Sequence, residues 1–338
     1  MKERTSLARY RPVLTIVVIG TLMASLFVAS YSIALGRPVP RHVPTGIVGD
    51  QAREPALVEA LQQATGGGLD LRPYPSVPAV TAAMNRQVIS AALVLEPGRP
   101  RLLVCSACGA SVAQILMRAA EQVNEQLAPG AAPPLRVTDV RPLPLNDPLG
   151  LVSFYVSIAA TVLGFVGVFQ LRQHAPHLSL REWLAVIAVL ALVGGFSLTL
   201  VVDPLLHALD GPFLELWAGL AAQIAVAALF NSTMLVLFGR WAIIPTWLMF
   251  IAFGNAWSGG AVAPPLLPRV YAFVGRFMPS GATVNILHNA AYFRNAQPVE
   301  PMVVQALWLV GCLVALLVSV RVTGRRPTGK PTHPVTGS

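Results

Sequence analysis

Residues Phe253–Arg294 read FGNAWSGGAVAPPLLPRVYAFVGRFMPSGATVNILHNAAYFR, between the apolar runs Trp241–Ala252 and Met302–Val322. How this stretch is read decides the fold. Pro264, Pro265, Pro268 and Pro279 lack a backbone donor, and Gly254, Gly259, Gly260 and Gly281 permit tight turns, so the stretch is no simple membrane helix. Between these breaks the short apolar and aromatic run Leu266–Met278 fits a helix at a bilayer surface or a re-entrant hairpin. Irregular backbone survives at membrane depth only against protein or a water-filled cavity, so any working site is expected to border this segment.

The whole chain supports a membrane setting. Of its 338 residues 54% are hydrophobic and only 12% charged, with a mean hydropathy of +0.63. A soluble globular domain carries about a quarter charged residues. The composition therefore points to a multi-pass membrane protein. The net charge of +9 raises nucleic acid as a partner. The basic residues form no single dense patch, however, and several flank apolar runs, where membrane topology explains them. No nucleic-acid partner is expected. Three cysteines are too few for a disulfide scaffold.

Residues 1–11 carry Lys2, Arg4, Arg9 and Arg11, and Pro12–Leu35 follows with no charge over 24 residues. That length crosses a hydrocarbon layer roughly 30 Å thick. A cleaved signal peptide has an apolar core of about 7–15 residues, so an uncleaved anchor is expected, with a cytoplasmic head, over 1–36. Residues 37–147 hold no long apolar run. Strands are expected at Thr45–Val48, Leu69–Arg72, Val88–Leu95, Arg101–Val104 and Leu135–Val140. Helices are expected at Pro55–Gln63, Val77–Arg86 and Ala110–Gln126, the last with Ile115, Leu116, Ala119 and Val123 on one face. Alternating strands and helices imply a small α/β domain, placed outside the cytoplasm.

Further spans are expected at Leu149–Leu171, Trp183–Val202, Leu216–Phe238, Trp241–Trp257 and Met302–Val320, forming a five-helix membrane domain over 148–323. The Pro/Thr/Gly-rich tail 324–338 is expected to be disordered. Arg172, His174, His177, Arg181, Arg240, Arg321, Arg325, Arg326 and Lys330 fall on one side of these spans. The loop Asp203–Glu215 on the other side has no Lys or Arg. This asymmetry predicts six transmembrane helices in the cell (plasma or inner) membrane with both termini cytoplasmic. Arg269, Arg276 and Arg294 in the last outer loop are a mild exception.

One amino-terminal span, an outer α/β domain and five more spans make a layout that resembles the permease subunits of type-2 ABC exporters. Within these it is similar to a divergent bacterial group of uncharacterised or phage-infection-protein-like members. The segments RQVISAALVLEP (86–97) and RLLVCSACGASVAQIL (101–116) resemble that group's helix-to-strand and strand-to-helix passages. SGG (258–260), LLP (266–268) and MPSGATVNILHNAAYF (278–293) resemble its pattern before the last span. His288 stands where the pattern has Arg, a departure that puts any role of that charge in doubt. The resemblance implies a fold without catalytic residues, a separate ATP-binding subunit and a homodimer of permease halves.

The chain's own phosphate-loop-like run, Gly324-x-x-x-x-Gly329-Lys330, is followed by Pro331 in a Pro-rich tail rather than by Ser or Thr and a helix, so it is read as chance. Cys105-x-x-Cys108 lies between a predicted strand and helix. A redox pair, a structural disulfide and free thiols all fit that position. Polar groups inside spans are costly in lipid, and Gln223, Asn231, Ser232 and Thr233 all lie in one span. They form no single stripe, so they serve either a pathway or hydrogen bonds to several neighbouring helices. Asp203, Asp210 and Glu215 offer a cation or amine site, or a plain solvated loop. Asn285, His288 and Asn289 share a face of a helix over 282–292, either lining an exit vestibule or capping a re-entrant turn.

The candidate pathway or gating residues are thus Asn255, Ser258, Gly259, Gly260, Pro268, Pro279, Gly281, Asn285, His288, Asn289, Tyr292, Gln223 and Asn231. No Ser/His/Asp set, metal-ligand spacing or carboxylate pair supports an enzyme, and no cofactor or metal is expected. Two functions follow as expectations. One is a permease-like component exporting a hydrophobic or amphipathic compound, with its ATPase on another chain. The other is a non-transporting membrane scaffold whose outer domain binds a cell-envelope or secretion partner.

Overall fold

Residues 4–96, 98–127, 134–294 and 298–329 are described by a computed structural model. Lys2, Pro97, Lys330 and the rest of the expected tail lie outside these residues.

Among the described residues five helices are long and apolar enough to cross a membrane, which is the make-up of a multi-pass membrane protein. They are α1 (Arg4–Leu35), α5 (Val152–His174), α6 (Leu180–Leu200, extended by a π-helical turn to Leu205), α7 (Phe213–Phe238) and α11 (Val299–Thr323). α6 starts with a reciprocal cap: Ser179 accepts from the Glu182 amide, and Glu182 accepts from the Ser179 amide. Of these five α7 is the most buried, packing against α5, α6, α11 and the later helix Pro279–Tyr292, and 72% of its apolar stretch is enclosed. By contrast, α1 is almost wholly exposed and meets the other helices near its end, where Ser30 donates to the Ala252 carbonyl at 2.6 Å.

Between α1 and α5 the chain forms a five-stranded sheet. Its strands are β1 (Val43–Val48), β2 (Leu69–Tyr74), β3 (Ala91–Val94), β4 (Arg101–Val104) and β5 (Arg136–Asp139), in the order β2-β1-β3-β4-β5. All pairs are parallel except β3 with β4. The helices are α2 (Pro55–Ala64), α3 (Val77–Asn85) and α4 (Ala110–Gln126). Successive side chains of a strand point to opposite faces. Accordingly, Ala91 and Leu93 join the core shared with α2 and α4, while Ala92 and Val94 join the core shared with α3. β3 is buried on both faces, which explains its unbroken apolar run. The expected elements are all present with ends shifted by a few residues, and Ala110–Gln126 has the bounds the spacing predicts.

The expected fifth span, Trp241–Trp257, is the largest departure. The chain there is α8 (Ile243–Trp247) running into a π-helix over Leu248–Asn255. Thirteen residues rise roughly 20 Å, well short of a roughly 30 Å hydrocarbon layer. The Pro/Gly-rich stretch that follows holds two short helices, α9 (Arg269–Gly275) and α10 (Pro279–Tyr292). α9 replaces the broader run Leu266–Met278, since Pro268 fixes its start. The tail also differs from expectation over 324–329, where Pro327 and Thr328 are buried beside the end of α5.

Candidate functional site

The segment 256–294 joins the sheet unit to the helices. Ala256, Val262, Ala263, Leu266 and Leu267 share one core with β1, α2 and α4. Leu287, Ala290 and Phe293 share another with α3, β4, α5 and α7. Polar contacts lock the same junction. Arg41 donates to the Leu266 carbonyl at 2.7 Å, and the Arg41 amide to the Pro265 carbonyl at 2.9 Å. The Ala263 amide donates to Ser111 Oγ at 2.9 Å. Gln87 Nε2 donates to Asn289 Oδ1 at 2.6 Å, and Arg269 lies 2.9 Å from His42.

α10 carries the densest part of the junction. His288 Nε2 donates to the Ala107 carbonyl at 2.8 Å, which fixes the proton on Nε2. Burial pushes this imidazole below its ordinary pKa, against smaller upward pulls from the Ala107 carbonyl and Asp147. Tyr292 donates a hydrogen bond from its hydroxyl to Asp147, and burial together with that bond drives the phenol pKa upward. Asp147 Oδ1 also accepts from the Leu151 and Val152 amides at the start of α5, at 2.8 and 3.3 Å. After α10, Arg294 pairs with Asp210, and before it Arg276 pairs with Glu300 at 2.6 Å.

Two recesses open on this junction. The smaller, about 90 Å³, is lined by Ser258, Gly259, Gly260, Asn285 and His288 facing Gln87, Cys108, Ser111 and Ser153. Gly259 adopts a φ of 80°, which suits a glycine. Ser258 Oγ donates to the Asn255 carbonyl at 2.8 Å and accepts from the Gly260 amide at 3.2 Å. Ser153 Oγ is buried with no partner among the described residues. The larger recess, about 630 Å³, is an open cleft lined by Asn85, Arg141, Pro142, Pro144, Asp210 and residues 291–294.

The other expected residues lie apart from these recesses or behind them. Pro268 and Pro279 begin α9 and α10, and Gly281 packs on the Gly275 carbonyl. Asn255 ends the π-helix and meets the Tyr31 hydroxyl. Gln223 and Asn231 are fully buried within the helices. Gln223 donates to Thr161 Oγ1 of α5 at 2.7 Å and accepts from Thr283 of α10 at 2.9 Å, with Gln305 of α11 at 3.2 Å. Asn231 donates to the Phe165 carbonyl at 3.0 Å and accepts from Thr246 at 2.9 Å. Ser232 accepts from Trp183 Nε1 at 2.9 Å. These side chains tie α7 to its neighbours and line neither recess. The Cys105 and Cys108 sulfurs are joined, closing the corner between β4 and α4 whose Ala107 meets His288.

Sequence reasoning missed Asp147, Arg141, Gln87, Ser153 and Thr161. Two signals were available. Asp147 sits just ahead of an apolar run, where a helix-capping carboxylate belongs. Ser153, Ser157 and Thr161 recur every fourth residue, the spacing of one helix face. Arg141 and Gln87 carry no local signal, because their partners are distant in sequence. No protein-family model, curated protein or solved structure matches this chain.

Proposed function

We propose that this chain is a permease-like subunit of an ABC-type exporter for a hydrophobic or amphipathic compound, with the ATPase on a separate chain. In this reading the sheet unit lies outside the cytoplasm, both termini lie inside, and the membrane is the cell membrane. The short helix Ile243–Asn255 completes a sixth crossing together with the turn after it. The observation that carries the proposal is the junction at 256–294. α10 is bonded to Gln223 of the central helix through Thr283, and to the sheet unit through His288 and Asn289. A shift of α10 is thereby coupled to both parts, which is what a transporter alternating between two states needs. Gly324 follows α11 directly, with no strand before it, which supports placing nucleotide hydrolysis on a partner.

One observation favours the scaffold reading instead. Gln223, Asn231 and Ser232 spend their polar groups on bonds between helices, leaving none to line a path. Affinity purification of the full chain from membranes, paired with an export assay on a deletion strain, separates the two. Recovery of an ATP-binding subunit and loss of export of a hydrophobic dye supports the permease. Recovery of an envelope protein with unchanged export supports the scaffold.

A further inference from the structure

The larger cleft is lined by Arg141, a cation in no ion pair among the described residues, where the five pairs use other arginines. Its Nη1 donates to Asn85 Oδ1 at 2.9 Å and its Nη2 to the Tyr292 carbonyl. The guanidinium also stacks 4.6 Å over the Phe293 ring. A guanidinium has five N–H donors, so three remain, held in a fixed orientation at the wall of the cleft. Arg294 lines the same cleft. It spends Nη2 on the Asp210 carbonyl and carboxylate, at 2.6 and 3.0 Å. Asp210 is 85% exposed, so that pair is weak and open to exchange.

We propose that this cleft binds a phosphate group, with Arg141 as the principal ligand and Arg294 as the second. The planar fork of arginine matches phosphate oxygens in pairs, and a tetrahedral phosphate offers enough oxygens to engage two guanidiniums at once. The cleft is far larger than one phosphate, at about 630 Å³. Phe293, Pro142 and Pro144 give it apolar walls for the organic body of an ester. The cleft lies where α10 ends and just before α5 and α7 begin, at the edge of the apolar helices. The phosphate therefore belongs either to a phospholipid headgroup or to a soluble phosphate ester. The proposal does not depend on the permease reading.

The test uses the full chain and two probes. In one arm it is reconstituted in nanodiscs of phosphatidylcholine with and without phosphatidylglycerol, and retained lipid is read by native mass spectrometry. In the other it is held in uncharged detergent and titrated with glycerol phosphate, with binding read by phosphorus NMR. Retention of phospholipid alone identifies the headgroup, and binding of glycerol phosphate identifies the soluble ester. In either case Arg141→Gln and Arg294→Gln are each expected to weaken binding roughly tenfold or more. Arg141→Lys, which keeps the charge but loses the fork, falls between. Arg294→Gln removes only an exposed pair, so it remains decisive even if Arg141→Gln fails to fold. Absence of binding in both arms, or binding unaffected by Arg294→Gln, overturns the proposal.

Discussion

Tyr292 donates its hydroxyl to Asp147 Oδ2 at 2.6 Å, and this bond fastens the end of α10 to the start of α5. Both side chains are largely buried. Tyr292→Phe leaves Asp147 its backbone donors but deprives a buried carboxylate of its hydroxyl partner. The expected loss is about 1–3 kcal/mol of stability. Asp147→Ala is expected to cost more, because it also uncaps α5. Thermal unfolding of the purified variants in detergent checks the order.

Gln223 is shared by α5, α10 and α11. Its replacement by Leu strands the Thr283 hydroxyl inside the bundle and removes a donor from Thr161, which keeps its own bond to the Ser157 carbonyl. Hydrogen bonds between membrane helices contribute about 0.6 kcal/mol on average and up to about 1.7 each, so the expected cost is about 1–3 kcal/mol. Thr161→Val and Thr283→Val should combine non-additively with Gln223→Leu, since they break the same bonds. A double-mutant cycle by steric trapping or denaturant unfolding measures the coupling, and strict additivity contradicts the shared network.

The junction is expected to be pH-sensitive through His288. Its folded pKa is depressed by burial, so the unfolded chain binds more protons over the window between the folded value and the ordinary value near 6.5. Stability is therefore full above about pH 6.5 and falls as the pH drops through that window. His288→Gln should flatten the profile between neutral and mildly acid pH. Melting temperatures measured across that range test the sign, and a wild-type profile that rises on acidification contradicts it.

The turn between α9 and α10 depends on two glycines. A Cβ on Gly275 runs into the Trp257 carbonyl, and one on Gly281 into the Gly275 carbonyl. Backbone cannot yield as a flexible side chain can, so Gly275→Ala and Gly281→Ala are expected to cost about 1–3 kcal/mol or more. Gly311→Ala, in α11 with open space around it, should be neutral or mildly stabilising. Comparing folded yields of the three variants checks this.

Much of the architecture was legible because it rests on local patterns. Charge-free runs long enough to span gave the long helices, and alternation with turn residues gave the sheet unit. Trp241–Trp257 forms a shorter helix than its apolar run suggests, because hydropathy does not register the π-helical winding there. Within α10 the shared face of His288 and Asn289 was readable from spacing, but their partners Ala107 and Gln87 lie far away in sequence. The cleft was not readable at all, since Asn85, Arg141, Asp210 and Arg294 come from four separate segments. Gln223 and Asn231 were visible as costly polar groups, but only the packing shows each reaching specific neighbouring helices.

The central claim is that the sheet unit and the chain ends lie on opposite sides of a membrane. Single cysteines introduced near Arg99 and near Arg325, in a background with the native cysteines replaced, can be labelled in intact cells with a membrane-impermeant maleimide. The account predicts labelling near Arg99 in intact cells, and labelling near Arg325 only after the membrane is permeabilised. Equal accessibility of both positions before permeabilisation contradicts it.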